Sequence, residues 1–532
     1  MGVPKRGLLL AAAVLSFFRA RGAVHGTGYI GSTAGFFTLM LLAKWVWEIL
    51  VYPHFLSPLR GLPQPEDTNF ILGSFLKIFK LPTGEPHREW VDNVPNDGVI
   101  YYRWLFNSPR VLIANPKAMG EVLVTKSYDF IKPARLREGL GRLLGVGILL
   151  AEGDEHKRQR KLLMPAFNFR HVKDLYPIFW SKSREMTNKI SETITTSPDS
   201  ESVIEIREWA SRATLDIIGV AGMGKDFDSI TNPDNKLNET YRKIFGSNRN
   251  AQIVQLLLGF LPHWLAASLP LKRNDEIGNS IATIKSVAAS LIAEKREKLE
   301  SGSQGTDILS VALESGGFSD TDLVNQLMTF LAAGHETTAS ALTWAVYCLC
   351  LNPSVQTRLR AELRSELASA LSPNGTITSS EIDRLPYLNA VLNETMRIFP
   401  PVPLTLRETA HDTTIQNQFV PAGTTVVICP WAINTSKHLW GDDAKEFNPE
   451  RWLKPGMANS GGADSNYAVC TFLHGPRSCI GKDFAKAEFA CLVAALVGRY
   501  EMEFEEAGYV LKIQGGITAT PKGGLRVRVK EV

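Results

Sequence analysis

The stretch FLHGPRSCIG, from Phe472 to Gly481, places one cysteine in a segment that is too interrupted to form a strand. An apolar helical pattern, KDFAKAEFACLVAALVGRY, follows it directly. Gly475 and Gly481 permit a tight turn and a close approach of the backbone. Backbone N–H groups and a helix N-terminus would stabilise the thiolate form of Cys479. The stretch therefore predicts a loop built around one reactive sulfur.

A stabilised and shielded thiolate is a strongly electron-donating ligand for haem iron. The same loop supplies two supporting groups. Arg477 lies two residues before the cysteine and can reach a haem propionate, and Phe472 can cover the sulfur. The loop therefore predicts a site built to hold one thiolate, that of Cys479, as a ligand of haem iron would require.

The longest helical pattern is SDTDLVNQLMTFLAAGHETTASALTWAVYCLCLNP. Ser319 and Asp322 resemble a capping box at its start, and Pro353 ends it. The pattern is apolar nearly all round, which predicts a central buried helix, with a transmembrane helix as the alternative. Gly334 costs a helix interior about 1 kcal/mol relative to alanine, and a buried Glu336 costs more without a partner. Polar residues at this place predict a functional site.

The rest of the chain is predicted to be mostly helical with minor sheet. Strand candidates occur in VIYYRWLFNSPRVLIA, TTIQNQFVPAGTTVVIC and the C-terminal GLRVRVKEV. The chain is 44% hydrophobic, which is typical of globular proteins, and no repeat or Gly/Ser linker divides residues 61–532. We therefore expect one large catalytic domain there.

Charge and cysteine spacing exclude some classes of function. A net charge of +4, spread along the chain, is too weak to indicate a nucleic-acid partner. The 6 cysteines include no CxxC pair, which argues against a zinc ribbon or a redox dithiol. Reduced, buried thiols in a domain that faces the cytosol are the simplest interpretation of the other cysteines.

The N-terminal segment has the composition of a membrane anchor. TAGFFTLMLLAKWVWEILVY, Thr33 to Tyr52, is long enough to cross a bilayer, and Lys44 and Glu48 can pair on one helical face. The earlier apolar run from Leu8 to Phe18 is about half a span, so it is either a second short insertion or of no consequence. Arg19 and Arg21 precede the span and Arg60 follows it, so charge alone weakly favours the orientation opposite to one with a cytosolic body.

The segment YPHFLSPLRGLPQP follows the predicted span. Because its prolines cannot continue a helix, they predict a stiff hinge between anchor and body. Residues 1–60 are therefore expected to form a membrane anchor with a proline-rich hinge.

Taken together, these motifs resemble the cytochrome P450 family of haem-thiolate monooxygenases. The ligand loop of that family, FxxGxRxCxG, is matched at every fixed place by Phe472, Gly475, Arg477, Cys479 and Gly481. AGHETT resembles the oxygen-side motif of the family's long central helix. The ExxR pair is found in ETMR and its third member in FNPERW, at Glu394, Arg397 and Arg451. The resemblance covers about Leu59 to the C-terminus and implies the cytochrome P450 fold.

The resemblance also implies roles for charged residues around the cofactor. Glu394, Arg397 and Arg451 are expected to be structural, because buried charges persist only when they are paired. Where many members have Trp-x-x-x-Arg, this chain has HKRQR, so His156 and Arg160 are candidates for binding haem propionates. An ordinary solvated helix face is the alternative there. Arg407, in PLTLRETA, is a further propionate candidate.

On the oxygen side, the chemistry requires two protons to reach dioxygen without admitting bulk water. A hydroxyl near the iron, from Thr337, can position the oxygen, and Glu336 with ordered water can relay protons. Two other roles remain open: Thr337 bonding its own helix backbone, and Glu336 in a structural ion pair. His335 is not expected to be a ligand.

The implied activity is oxidation of a lipophilic molecule with haem b, O2 and electrons from NADPH. NADPH–cytochrome P450 reductase is the expected partner, with cytochrome b5 as a further electron donor. The expected pocket lining is mainly apolar and comprises Phe330, Ala333, PPVPLTL, ITAT near Thr518 and KPARLREGLGRLLGVGIL. The pattern resembles fungal microsomal members that oxidise terpenoids, polyketides and indole alkaloids.

Three alternatives stay open: a fatty acid hydroxylase, a reductase-independent haem-thiolate isomerase or dehydratase, and a membrane-anchored haem- or sterol-binding protein without turnover. NADPH consumption separates the monooxygenases from the other two classes.

The resemblance places the protein in the endoplasmic reticulum membrane, with a single anchor and a cytosolic body. A basic surface on the cysteine side of the haem is expected to bind an acidic flavoprotein, with ordinary solvated charge as the alternative. The residues of this basic surface are Lys157, Arg158, Lys161, Arg170, Lys173, Lys482 and Lys486.

Overall fold

A computed structural model describes residues 26–66, 68–196, 203–245, 272–302 and 305–532 of the chain. The candidate membrane run from Leu8 to Phe18 lies outside these residues. Within them the chain is mostly helical with small sheets, so the predicted fold class is confirmed.

The α-helices are α1 (Gly26–Val46), α2 (Phe75–Lys80), α3 (Glu85–Asn93), α4 (Pro116–Gly120), α5 (Ala134–Leu144), α6 (Gly153–Phe167), α7 (Phe169–Lys173), α8 (Tyr176–Thr196), α9 (Ile206–Met223), α10 (Lys236–Phe245), α11 (Lys272–Glu300), α12 (Ile308–Glu314), α13 (Asp320–Leu351), α14 (Pro353–Glu366), α15 (Ala368–Leu371), α16 (Ser379–Asp383), α17 (Pro386–Ile398), α18 (Pro430–Asn434), α19 (Lys437–Trp440) and α20 (Lys482–Arg499). The strands are β1 (Val99–Arg103), β2 (Pro109–Ile113), β3 (Phe130–Ile131), β4 (Val203–Glu205), β5 (Thr405–Thr409), β6 (Thr413–Ile415), β7 (Gln418–Val420), β8 (Thr425–Ile428), β9 (Tyr500–Phe504), β10 (Ile513–Gln514), β11 (Thr520–Pro521) and β12 (Arg526–Glu531).

The largest sheet has the strand order β1-β2-β8-β5-β3. Its pairs are antiparallel except β2 with β8, and Arg407 of β5 lies opposite Val426 of β8. A second sheet, β4-β12-β9, joins the start of α9 to the C-terminal strand, and two hairpins, β6-β7 and β10-β11, complete the strand content. The strand candidates in the sequence thus correspond to β1, β2, β6, β7, β8 and β12.

Helix α13 runs through the centre of the molecule, packed against α9, α11, α17 and α20. A capping box between Ser319 and Asp322 begins it, and it ends at Leu351, before Pro353, as the sequence predicts. Its side chains are buried on nearly all faces. The accessible positions at its centre are Ala333 and, in part, Gly334 and Thr337, which belong to the interrupted AGHETT segment.

The anchor differs from the sequence expectation at its junction with the body. Helix α1 continues into a π-helical segment, Trp47–Leu56, which contains Pro53, and a 3₁₀ turn follows at Pro58–Gly61. The expectation that the helix stops before Pro53 is therefore wrong. A proline removes one donor and crowds the preceding turn, and the wider π-helical turn accommodates it. Among the described residues, 33–61 form one helical stretch long and apolar enough to cross a membrane.

Candidate functional site

Cys479 lies in the loop between a 3₁₀ turn, Gly475–Arg477, and the start of α20. Its N–H donates to the Phe472 carbonyl at 2.9 Å, which closes the loop on itself. Gly475 has a φ of +75°, and a Cβ there would come within 2.1 Å of the Leu123 carbonyl oxygen. Glycine is therefore required at this position by both backbone conformation and close approach.

The Cys479 thiol is accessible and yet surrounded by protein. It is exposed, whereas the other cysteines are buried. Burial raises the pKa of the Cys479 thiol, while a hydrogen bond from the Gly481 backbone and the nearby Arg160 guanidinium oppose that rise. A side chain that faces an internal cavity is expected to have both properties: it has solvent-accessible surface, and the protein around it still desolvates it. The two opposing groups are those that would stabilise a thiolate once a metal binds it.

Arg160 of α6 contacts this loop directly. Its Nη1 donates to the Ser478 carbonyl at 2.7 Å. Arg160 is a predicted propionate ligand, and the structure places its guanidinium against the backbone beside the cysteine. The positive charge of Arg160 is also close enough to the sulfur to favour the thiolate form of Cys479.

A cluster of cationic side chains lies beside the loop, between α6, β3 and β5. Arg477 donates from Nη2 to Glu152 Oε1 at 2.5 Å and from Nη1 to the Phe130 carbonyl at 2.8 Å. His156 is buried, and its Nδ1 lies 3.1 Å from the Tyr128 hydroxyl. Glu152 Oε1 also accepts from the backbone N–H of Lys132 at 2.8 Å. We call Lys132, His156, Arg160, Arg407 and Arg477 the cationic cluster.

Burial is the main cause of lowered pKa values at Arg407, Lys132 and His156, and neighbouring cations lower these values further. The pKa of Arg407 falls to about 10, first through burial and then through Arg477. The pKa of Lys132 lies well below its ordinary value, through burial and then through Arg407 and Arg477. The pKa of His156 falls to about 4, with burial again the largest cause. Glu152 opposes each of these shifts.

Such a buried surplus of positive charge is costly without a counter-charge. The Nε atom of Arg477 is buried and has no hydrogen-bond partner within the described residues. An anionic ligand with two carboxylates would supply both the missing charge and the missing acceptor. The haem that the sequence resemblance implies carries two propionates, so the residues present fit that group.

Glu394 and Arg397 both lie on α17, and Arg451 contacts Glu394 from another part of the chain. Arg397 donates to both oxygens of Glu394, at 2.7 and 2.8 Å, and Arg451 Nε donates to Glu394 Oε1 at 3.0 Å. Both Glu394 and Arg397 have an exposure of 0%. Arg397 also donates to backbone carbonyls of Asn434, Ala444 and Glu446. The cluster therefore ties α17 to the chain segment that leads to the cysteine loop.

On the oxygen side, Glu336 has partners that the sequence analysis missed. Its Oε1 accepts from Arg207 Nη2 at 2.7 Å and from Thr518 Oγ1 at 3.1 Å. Arg207 opens α9 and Thr518 precedes β11. The ion pair that the sequence analysis considered as an alternative role for Glu336 is thus present. No local motif signals Arg207, because it lies 129 residues away in sequence.

Thr337 and His335 have distinct surroundings on α13. The Thr337 hydroxyl donates to the Ala333 carbonyl at 2.7 Å, which is the backbone bond considered above as an alternative. His335 is buried, and its Nε2 lies 2.7 Å from the Ser211 hydroxyl of α9. Burial lowers the pKa of His335 to about 4, so the ring is neutral at pH 7. His335 therefore packs into the protein.

The residues of the predicted basic surface are not equivalent. Lys157 and Arg158 pair with Asp154 and Glu155 of the same helix, at 2.8 and 2.7 Å. Burial lowers the pKa of Lys486. Four cations are exposed, with no carboxylate of the described residues in ion-pair distance: Lys161, Arg170, Lys173 and Lys482.

Comparisons with known proteins agree with this geometry. The family model named Cytochrome P450 matches residues 63–527. The chain is 44% identical to the cytochrome P450 monooxygenase sphH of Aspergillus fumigatus, over 98% of this chain and 97% of that protein. It is 42% identical to the cytochrome P450 monooxygenase FUM15 of Gibberella moniliformis, over 93% and 92%. It is 40% identical to the cytochrome P450 monooxygenase ALT8 of Alternaria alternata, over 92% of each chain. The chain belongs to the cytochrome P450 family.

Proposed function

We propose that this cytochrome P450 monooxygenase oxidises a lipophilic small molecule, with haem b held by Cys479 and electrons from NADPH delivered by NADPH–cytochrome P450 reductase. The observation that carries the proposal is an accessible thiol at a helix N-terminus beside a buried surplus of positive charge. When bound, haem supplies the redox chemistry that activates O2, and a thiolate ligand favours cleavage of the O–O bond.

The residues around the cofactor have separable tasks. The thiolate of Cys479 binds iron, supported by the Gly481 backbone N–H and the charge of Arg160. Arg407 and Arg477, with Lys132, would neutralise and bind the propionates, and the neutral His156 ring would bind them through an N–H. Phe472, whose carbonyl accepts from Cys479, covers the sulfur side. The network of Glu394, Arg397 and Arg451 keeps the loop in place.

Thr337 and Glu336 deliver protons to dioxygen. The Thr337 hydroxyl has its hydrogen engaged with Ala333, so its lone pairs are available to accept a proton donor such as water. Arg207 and Thr518 both bond Oε1 of Glu336, and we assign the relay to Oε2. The pair with Arg207 holds the carboxylate in one orientation, which suits a group that must pass protons on.

The substrate class is proposed as a terpenoid, polyketide or alkaloid of secondary metabolism. The apolar lining expected from the sequence supports a bulky lipophilic molecule. A fatty acid would also suit such a lining, and a screen of substrate-binding spectra followed by product identification decides between them. The anchor supports a place in the endoplasmic reticulum membrane with the body, residues 61–532, in the cytosol. Cytochrome b5 is proposed as a further electron donor.

The test of the haem assignment is the Cys479→Ala variant. It should lose the thiolate-specific absorption of the reduced carbon monoxide complex and lose monooxygenation, because the variant has no thiolate ligand at this site. Cys491→Ala is the matched control: this residue is buried in α20, the helix that follows the loop, and should retain both properties. A Cys479→Ala protein that kept the thiolate absorption would refute the assignment. Wild-type protein that never consumed NADPH with reductase and substrate would favour an isomerase or dehydratase.

A further inference from the structure

The side chain of His156 makes one hydrogen bond within the described residues. Its Nδ1 lies 3.1 Å from the Tyr128 hydroxyl, and its Nε2 bonds to none of the described residues. The side chain is buried, and burial lowers its pKa to about 4, so the ring is neutral at pH 7. A neutral imidazole has one N–H, so one ring nitrogen donates and the other accepts. The contact with Tyr128 therefore bears on which nitrogen carries the hydrogen.

The charges around the His156 ring favour Tyr128 as the donor in this bond. After burial, the causes that lower the pKa of His156 are the cations Arg477, Lys132 and Arg160. This surplus of positive charge attracts an anion, and a carboxylate can only accept hydrogen bonds. A carboxylate that binds Nε2 therefore requires the ring hydrogen to be on Nε2. Nδ1 must then accept, and the Tyr128 hydroxyl must donate to it.

Tyr128 is held in place by contacts to its backbone and to its ring. Arg477 Nη1 donates to the carbonyls of Ser127 and Phe130, which flank Tyr128 in the chain, at 3.4 and 2.8 Å. The Lys157 ammonium lies 4.8 Å from the centroid of the Tyr128 ring, and the Arg477 guanidinium lies 5.8 Å from it. Cations at such distances attract an aromatic ring. The phenol oxygen therefore has a fixed position next to His156.

We propose that Tyr128 is a positioning residue for the haem: its hydroxyl donates to Nδ1 of His156 and so fixes the tautomer in which Nε2 carries the hydrogen that binds a propionate. Many members of the family have tryptophan at the place of His156, and an indole N–H donates whatever its surroundings. An imidazole needs a second group to keep its hydrogen on the correct nitrogen. Tyr128 is that group in this chain. The inference rests on the proposed function, in which His156 binds a propionate.

The test is the Tyr128→Phe variant of the full-length, haem-loaded protein, because this change removes the hydroxyl alone. Without that donor, the His156 ring also adopts the tautomer with hydrogen on Nδ1, which presents a lone pair to the propionate. Transfer of haem to apomyoglobin, followed in the Soret band, should become about fivefold faster, as expected for the loss of one hydrogen bond. The propionate bending mode in the resonance Raman spectrum should shift to lower frequency.

Two further variants separate the choice of tautomer from simple packing. Tyr102→Phe is the matched control: the Tyr102 hydroxyl lies 3.0 Å from Nε2 of the buried His87, so the change removes the same kind of bond between α3 and β1. It should leave haem transfer and the propionate mode unchanged. His156→Trp supplies a ring N–H that needs no partner, so Tyr128→Phe should have no effect in that background. If His156→Trp does not fold, His156→Lys replaces it, because an ammonium group also only donates.

The expected result is faster haem transfer in Tyr128→Phe alone, and no acceleration in Tyr102→Phe or in the His156→Trp background. Equal transfer rates in the parent and Tyr128→Phe, when the parent has the thiolate-specific absorption of the reduced carbon monoxide complex, overturn this inference and leave the haem assignment intact. An acceleration that persists in the His156→Trp background shows that Tyr128 only packs, and also overturns the inference. A parent that lacks the thiolate absorption overturns the haem assignment, and this inference with it.

Discussion

The Thr337 hydroxyl donates to the Ala333 carbonyl, one turn earlier in α13, and both residues lie where the burial of the helix is interrupted. Back-bonding of this kind is common for threonine in helices and by itself indicates no catalytic role. Thr343 makes the same bond to Ala339 at 2.8 Å but is fully buried. The two threonines therefore share a local structure and differ in exposure, which makes them a matched pair.

At the residue scale we expect Thr337→Ala to uncouple the reaction. The variant should bind substrate and consume NADPH, but product per NADPH should fall by roughly tenfold because proton delivery to dioxygen is impaired. The lost reducing equivalents should appear as hydrogen peroxide. Alanine is a better helix former than threonine, so folding should be preserved. The measurement is the ratio of product to NADPH consumed, with peroxide assayed in parallel.

Thr343→Ala is the control and should remain coupled. If Thr337→Ala also remains fully coupled, the hydroxyl serves the helix alone, and the proton relay must be assigned elsewhere.

At the scale of elements, the network around Glu394 joins α17 to the segment from Asn434 to Arg451. Arg397 contributes hydrogen bonds both to Glu394 and to three backbone carbonyls of that segment. Trp452 Nε1 adds a bond to Glu394 Oε2 at 2.9 Å. Because every group in the network is buried and partnered, the loss of one leaves another charge unpaired in a medium of low dielectric constant.

We expect Arg397→Met to destabilise the fold by about 3–5 kcal/mol, since it leaves the Glu394 carboxylate buried and partly unpaired. Urea unfolding and the haem content of the purified protein measure the effect. Arg358→Met is the control: Arg358 pairs with Glu450 at the surface, where an ion pair contributes about 1 kcal/mol or less. An Arg397→Met protein as stable as this control would show that the network is dispensable.

At the scale of the whole molecule, the exposed cations of the predicted basic surface lie on α6, α7 and the start of α20, the helix that follows the cysteine loop. Arg160 ties α6, the helix that carries Lys161, to the cysteine loop at 2.7 Å, and Lys482 begins α20 directly after that loop. Lys157 and Arg158 are neutralised within their own helix. The charge that a partner would meet therefore comes mainly from Lys161, Arg170, Lys173 and Lys482.

We expect added salt to slow the first electron transfer from the reductase by about tenfold, because screening weakens the attraction between this surface and an acidic flavoprotein. Charge reversal in Lys161→Glu and Lys482→Glu should slow it at low salt. Lys285→Glu, at an exposed position on α11, is the control and should leave the rate unchanged. Stopped-flow reduction under carbon monoxide gives the rates. Rates that are independent of salt and of both substitutions would contradict electrostatic docking.

Local patterns in the sequence were sufficient for the elements and for the members of the ligand loop. Helix α13 was predictable from short-range signals: its helical spacing, its cap at Ser319 and the proline that follows it. Each of these signals involves residues only a few positions apart in the sequence. The glycine at position 475 is likewise predictable, because a left-handed turn leaves few other choices.

Only the tertiary structure decided which charged and polar groups meet. Glu336 accepts a hydrogen bond from Arg207, which lies 129 residues away in the sequence. Arg477 donates to Glu152, 325 residues away, and Asn107 donates to the Ile49 carbonyl, 58 residues away. Such pairs have no period and no fixed spacing, because they are formed by packing of elements that are distant in the chain. Pro53 was likewise expected to end a helix, whereas a wider π-helical turn accommodates it.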